Sequence, residues 1–304
     1  MAEAAPTLAL ETVGANPTRL WGLTMAERNA RIGHKAGLGG TGAPVVLANA
    51  DIAADPAWLG HVAAQAGLVL TLAGVPAIGH ARDEHEAALL REAMRDAAAP
   101  REPERFEFMA YEGGAAIENR ALRKRERPFL MKLTAGSVRA IERASYVGAY
   151  KGVTDLLTKY LWPEWALWLT RFAAWLGLSP NLVTTIGSML CVAATVAFAY
   201  GHYWPGLALG LVFMVLDTVD GKLARCTITS SWWGNLFDHG LDLVHPPFWW
   251  WFWATGLAHV GLALPDTLFW WVEGAIFAGY VVQRAIEGAF IAWFGGIHIH
   301  VWER

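Results

Sequence analysis

Asp217-Thr218-Val219-Asp220-Gly221-Lys222-Leu223-Ala224-Arg225, followed eight residues later by Gly234-Asn235-Leu236-Phe237-Asp238-His239-Gly240-Leu241-Asp242, lies in an otherwise apolar region. Carboxylates inside apolar runs are costly and mark ion or substrate sites. Asp217 and Asp220 are i,i+3 and Asp238 and Asp242 are i,i+4, so each pair shares one helix face. Two antiparallel helices joined through Cys226–Trp233 bring both pairs to one depth. Four converging carboxylates stay ionised together only when cations neutralise them. Hard oxygen donors select Mg²⁺, Mn²⁺ or Ca²⁺ over zinc. Paired ions about 3.5–4 Å apart are a standard clamp for displacement at phosphorus. Gly221 and Gly234 leave room at the backbone, Ala224 keeps the helix face small, and Lys222 and Arg225 place cations suited to phosphate oxygens at the rim. The neighbourhood reads as a diphosphate pocket.

Working outward, the apolar runs long enough to cross about 30 Å of hydrocarbon are Asn181–Tyr200, Pro205–Ala224, Gly234–Leu257 and Thr267–Val282. Ser179-Pro180 supplies a cap and a proline at the first helical position of the first run. Pro246-Pro247 is expected to kink the third. Tyr146–Leu178 mixes Lys151, Asp155, Lys159, Glu164 and Arg171 with Trp162, Trp165, Trp168 and Trp175, a pattern expected of amphipathic helices lying in the membrane interface. Lys151, Lys159, Arg171, Lys222, Arg225 and Arg284 fall on one side, and the opposite loops Gly201–Trp204 and Ala258–Asp266 hold no Lys or Arg. The positive-inside rule places the basic side and the N-terminal half in the cytoplasm.

The 304 residues are 55% hydrophobic and only 17% charged, against roughly 25% charged in soluble domains, which is membrane-class composition. A net charge of −3 argues against a basic nucleic-acid binder, and two cysteines, Cys191 and Cys226, make no disulfide framework. The start lacks the basic and apolar regions of a signal peptide. Residues 1–150 carry 17 Lys/Arg and 17 Asp/Glu, whereas residues 151–304 carry 7 and 10, so the polar half comes first. There, Leu8–Val13, Pro44–Leu47 and Leu68–Leu72 have strand character, and Ala54–Gln65 and Glu84–Ala99 have helical spacing. Alternating strands and helices predict a small α/β layer. Residues 100–127, with Arg120, Arg123, Lys124, Arg125 and Arg127, read as a solvated connector, or as a contact for anionic headgroups.

Taken together, Asp217-x2-Asp220-Gly221-x2-Ala224-Arg225-x8-Gly234-x3-Asp238-x3-Asp242 resembles, at every specified position, the signature of the CDP-alcohol phosphotransferases. Eight specified residues match by chance about once in 10¹⁰ windows at roughly one in twenty per position. Ser179-Pro180-Asn181-x-Val183-Thr184 is similar to the start of that family's first span. Lys151-Gly152-Val153-Thr154-Asp155 is similar to the branch making inositol phosphodiesters and phosphatidyl-type lipids. The resemblance covers about residues 150–300. It implies transfer of a substituted phosphate from a CDP-linked donor, CDP-diacylglycerol or a CDP-alcohol, to an alcohol such as an inositol or glycerol derivative, with release of CMP. It implies Asp217, Asp220 and Asp238 as ligands to two Mg²⁺ or Mn²⁺ ions, with Asp242 completing the site and acting as base. It further implies that Gly221, Lys222, Ala224, Arg225 and Gly234 line the CDP pocket.

The family core has six spans where four are counted here, so truncation or closure by another subunit is expected. The organisation expected is a soluble α/β domain over 1–130, a connector with interfacial helices over 131–178 and a transmembrane all-α core over 179–304. Leu8–Val13 with Gly14–Leu20 faintly resembles the opening of nucleotidyltransferases without their glycine pair, and Gly37-x-Gly39-Gly40-Thr41-Gly42 is a weak phosphate-loop match. The domain therefore reads as an inactive nucleotidyltransferase-like remnant. His239 and His245 read as residues beside the acids or facing the headgroups, not ligands. Trp249, Trp250, Trp251 and Trp253 read as an interfacial belt. Arg284 is either a snorkelling anchor or an acceptor contact. Expected partners are the donor, the acceptor, membrane lipid and a second copy in a homodimer, with no nucleic acid, at a bacterial inner membrane. A transporter using the acids and an inactive scaffold are the rival readings.

Overall fold

The computed structural model describes residues 8–113, 128–149 and 160–294. The basic run from Arg120 to Arg127 and the Lys151–Asp155 motif, with Lys159, lie outside the described residues. Two compact units result: residues 1–152 with 171–177 and 222–229, and residues 153–170 with 178–221 and 230–304.

In the first unit, β1 (Ala9–Val13), β2 (Val45–Asn49), β4 (Leu68–Leu72), β5 (Val75–Ala81) and β6 (Glu107–Ala110) form a mixed sheet in the order β1-β2-β5-β4-β6. β1 and β2 are parallel, β5 is antiparallel to both its neighbours, and β6 returns parallel to β4. Side chains alternate along the strands, so both faces must be covered. Val46, Leu68, Leu70 and Ile78 pack with α1 (Met25–Lys35) through Ile32 and with α2 (Pro56–Ala63) through Trp58, Leu59 and Val62. Val45, Leu47, Val69 and Ala81 pack instead with Ala87, Leu90 and Met94 of α3 (Glu84–Arg95). A Cβ on Gly79 would stand 2.7 Å from Leu90 Cδ1, so glycine sets how closely α3 approaches the sheet.

Several local expectations are corrected. Ala54–Gln65 does not begin as a helix: β3 (Ile52–Ala54) ends there, and Asp55 caps α2 by accepting from the Ala57 amide. Glu84–Ala99 stops at Arg95. The polar stretch 100–127 contains strand β6, an edge strand of mainly apolar sequence whose Glu107, Phe108 and Ala110 are exposed. β7 (Leu130–Lys132) pairs with β3, which carries the first unit past residue 130. Helix α1 escapes sequence reading because it buries Arg28 and Asn29 beside Ile32. Arg28 donates from Nη1 to the Ala54 carbonyl at 2.9 Å. Helix α4 (Val138–Gly148) completes this unit together with Arg171, which donates to Glu142 at 2.9 Å.

The second unit is helical. Its elements are α5 (Pro163–Trp175, as far as Thr170), α6 (Pro180–Ala199), α7 (Tyr203–Cys226, as far as Gly221), α8 (Trp232–Gly256) and α9 (Asp266–Phe294). Ser179 caps α6 by accepting from the Leu182 amide, and Ser231 caps α8 by accepting from the Gly234 amide. Among the described residues, α6 and α9 are the two helices long and apolar enough to cross a membrane. Helices α7 and α8 have comparable length but are less apolar, through the acids and, in α8, through its His, Pro and Trp residues as well.

Helix α8 continues through Pro246 and Pro247. Proline at 247 has no N–H to give to the Leu243 carbonyl, and Tyr280 of α9 donates its hydroxyl to that carbonyl at 2.6 Å. The tryptophans of α8 do not form one belt. Trp249 packs against Phe198, Phe213 and His245, and its Nε1 reaches the Cys191 carbonyl at 3.4 Å. Trp250 and Trp251 instead meet Tyr280 and Trp270 of α9. In the stretch read as interfacial, Trp165, Trp168 and Trp175 are exposed, whereas Trp162 is buried and donates to Thr218 at 3.2 Å. Where α6 and α8 converge at their C-terminal ends, a Cβ on Gly256 would overlap the Phe198 carbonyl oxygen. Only glycine permits that crossing.

Candidate metal centre

Helix α7 carries Asp217 and Asp220 one turn apart near its C-terminal end, and α8 carries Asp238 in its second turn. The structure brings these three together: one carboxylate oxygen from each lies within 4.8 Å of the others. Three anionic oxygens at that spacing repel strongly unless a cation sits among them. Three carboxylate oxygens fit a hard divalent cation. Asp242 stands outside this three-acid group, which differs from the expected four-ligand set. It is exposed by surface area, and its electrostatic neighbours include Asp217 as well as Asp238, His245, His239 and Arg284.

Asp220 is the most enclosed of the acids, 3% exposed. Thr184 of α6 donates its hydroxyl to Asp220 Oδ2 at 2.5 Å. The same hydroxyl lies 3.1 Å from the Pro180 carbonyl, but it has one proton, and the shorter contact to an anion takes it. Thr184 was legible as part of the first-span motif, but its role was not, since residues 36 positions apart show no spacing rule. His239 Nδ1 lies 3.6 Å from Asp238 Oδ2, in keeping with a place beside the acids. His245 turns its Nδ1 to the Leu241 carbonyl at 2.9 Å and packs edge-on to Phe213 and Trp249.

The residues expected to line a nucleotide pocket divide. Gly234 has a packing reason of its own, because a Cβ there would stand 3.0 Å from Asn181 Oδ1. Gly221, Ala224 and Arg225 are partly buried along α7. Lys222 is not a rim cation. It is 2% exposed, donates to the Tyr146 carbonyl at 3.1 Å, and lies 4.6 Å from the Tyr146 ring centroid. Spacing alone could not reveal this, because lysine at a helix end more often reaches solvent. Arg284 pairs with Glu287 at 2.6 Å and rests over Tyr280, so it is neither free nor simply snorkelling. Glu273, which sequence reading passed over, is buried in α9. Its signal was present: a lone acid in the apolar run Thr267–Val282.

Sequence comparison extends this geometry. Residues 177–293 match the family described as CDP-alcohol phosphatidyltransferase. Choline/ethanolaminephosphotransferase 1 of Arabidopsis thaliana is 33% identical over 155 residues, 47% of this chain and 37% of that protein. Cholinephosphotransferase 1 of Homo sapiens is 34% identical over 148 residues, 46% of this chain and 35% of that protein. Ethanolaminephosphotransferase 1 of Pongo abelii is 37% identical over 107 residues, 29% of this chain and 26% of that protein. The chain thus spans about a third of the length of these relatives.

Proposed function

We propose, from the match of residues 177–293 to the CDP-alcohol phosphatidyltransferase family, that this chain transfers a substituted phosphate from a CDP-linked donor to an alcohol and releases CMP. The observation that carries the reading is the convergence of Asp217, Asp220 and Asp238 within 4.8 Å, inside the signature. The relatives' names favour phosphocholine or phosphoethanolamine as the transferred group over an inositol derivative. A site built on helices of membrane length favours a lipid alcohol such as diacylglycerol as acceptor, and a place in phospholipid synthesis.

Asp217, Asp220 and Asp238 would hold the divalent ions, Mg²⁺ or Mn²⁺. When bound, such ions neutralise the diphosphate and stabilise the CMP leaving group. Thr184 holds the Asp220 carboxylate in one orientation. By their place in the signature, Gly221, Ala224 and Arg225 are assigned to the cytidine diphosphate, with Arg225 the cation for its oxygens. To Asp242, one helical turn beyond Asp238 and outside the three-acid group, we assign removal of the proton from the acceptor hydroxyl. His239 and Arg284 adjust the charge around it.

We read α6 to α9 as four spans, with the acids toward the cytoplasmic side. The first unit reads as a nucleotidyltransferase-like remnant without activity. In support, the N-terminus of α1 is filled by its own capping box: Glu27 accepts from the Thr24 amide at 2.8 Å, so an anionic side chain stands where a phosphate would dock. The test is CMP release by the purified full chain, with CDP-choline, CDP-ethanolamine and CDP-diacylglycerol offered in turn with lipid alcohols or inositol phosphate. Metal-dependent release with the first two donors is the expected result. Release only from CDP-diacylglycerol would move the reading to the phosphatidyl branch. No release from any donor would favour a scaffold or a transporter.

A further inference from the structure

Two consecutive prolines interrupt α8 one turn beyond Asp242. Each frees the carbonyl four residues back: Pro246 that of Asp242, Pro247 that of Leu243. Leu243 lies about 17 Å along α8 from Trp232, at 1.5 Å per residue. On the four-span reading that is membrane depth, where an orphan carbonyl is costly and neighbouring helices re-satisfy it. Tyr280 of α9 does so, donating its hydroxyl to the Leu243 carbonyl at 2.6 Å. Two further contacts fix its ring. It meets Trp250 of α8 edge-on, with centroids 5.3 Å apart, and the Arg284 guanidinium lies 5.1 Å from its centroid. Arg284 is tied to Glu287 at 2.6 Å and is among the electrostatic neighbours of Asp242. One side chain thus grips the residue that follows Asp242 and carries a cation within its field.

We infer that Tyr280 is a positioning residue for the transfer reaction: through the Leu243 carbonyl it sets where α8 presents Asp242. The inference rests on the assignment of Asp242 as base. A helix that has lost two consecutive rungs bends at that turn unless something pins it. Asp242 sits on the last turn before the break, and the bond from α9 is the pin. A general base works only within hydrogen-bond reach of the proton it takes, about 2.6–3.2 Å, so slack in that turn lowers turnover directly. Asp217 and Asp220 stand on α7, and Asp238 lies a full turn further from the break. Metal and donor binding are therefore left largely to positions that the pin does not govern.

Tyr280→Phe keeps the ring beside Arg284 and removes only the hydroxyl. In the full chain in lipid nanodiscs, turnover in CMP release should fall about three- to tenfold, the range one hydrogen bond supports. KM for the CDP-linked donor and the Mg²⁺ requirement should stay within about twofold, a split that general loss of structure does not give. Hydrogen exchange of the α8 amides around residues 243–249 should quicken, a readout that needs no activity. Pro247→Ala returns an N–H to the Leu243 carbonyl and makes the tyrosine hydroxyl redundant. In that background Tyr280→Phe should cost less than about twofold in turnover and leave the exchange slow. Unchanged exchange in Tyr280→Phe, a rise in KM that matches the fall in turnover, or an equal cost with and without Pro247 would each overturn the inference while the transferase reading stands. A parent chain that releases no CMP from any donor overturns the transferase reading, and this inference with it.

Discussion

Thr184→Val removes one hydroxyl and substitutes a methyl of nearly the same size at a buried position, so packing around α6 is conserved while the 2.5 Å bond to Asp220 is lost. Hydrogen bonds to charged groups contribute about 1.5–3 kcal/mol. If that energy goes into holding Asp220 in its ligating orientation, the metal concentration for half-maximal activity should rise about 10- to 150-fold. Turnover at saturating metal should fall far less, because the ligand itself remains. The assay is CMP release against Mg²⁺ and Mn²⁺ concentration, with thermal stability and elution in detergent as controls for folding. Thr184→Ser keeps the hydroxyl and should return the metal requirement to within a few fold of the parent. A valine variant that is folded and has an unchanged metal requirement would refute the claim that Thr184 positions Asp220.

Asp217→Asn and Asp220→Asn should each reduce CMP release at saturating Mg²⁺ to background while the chain stays in the membrane fraction; activity in either variant removes that residue from the metal set. Asp242→Asn should lower turnover by about 10²–10⁴-fold with much less effect on CDP-donor binding, whereas matched losses would make Asp242 a ligand alone. Gly256→Ala should destabilise the helical unit by about 1–3 kcal/mol, read as a lower melting temperature in detergent, because its methyl overlaps the Phe198 carbonyl. For Glu86, burial pushes the carboxyl up, but hydrogen bonds from the Arg82 side chain and amide outweigh it and hold it below the ordinary carboxylate range. Its contribution to stability is therefore full above its unfolded-state value, near 4.5, and is lost as pH falls through the lower folded-state value. Hydrogen exchange of α3 in the full chain should accelerate in that acid window, and Glu86→Gln should flatten the response.

The helical half was the more legible because its signals are local and long. Runs of about twenty apolar residues and acids at helical intervals translate directly into α6 to α9, and the ends shift by at most a few residues except at α9, which runs on to Phe294. The sheet half was harder. Its short strands β3, β6 and β7 owe their existence to partners distant in sequence, such as Ile52 opposite Lys132, and no pattern within three or four residues announces that. At the site, spacing was enough to gather Asp217, Asp220 and Asp238, since helix periodicity fixes which residues share a face. It was not enough for Asp242, whose distance from the others depends on how α8 is set against α7. Lys222 shows the same limit: its charge suggested phosphate, and the fold spends it on Tyr146.

The crossing at Gly256 has a mechanical consequence. With the Phe198 carbonyl pressed against a residue that has no side chain, α6 and α8 meet there as at a rivet, and any scissoring between them opens at the far end. Asp238 lies eighteen residues away along α8, about 27 Å at 1.5 Å per residue. A tilt of about 3° at the rivet swings Asp238 by roughly 1.4 Å over that lever arm. Metal–ligand distances tolerate only about 0.2 Å. The bulk of the residue at position 256, eighteen residues from Asp238, therefore bears on the gap between Asp238 and α6, whose Thr184 holds Asp220.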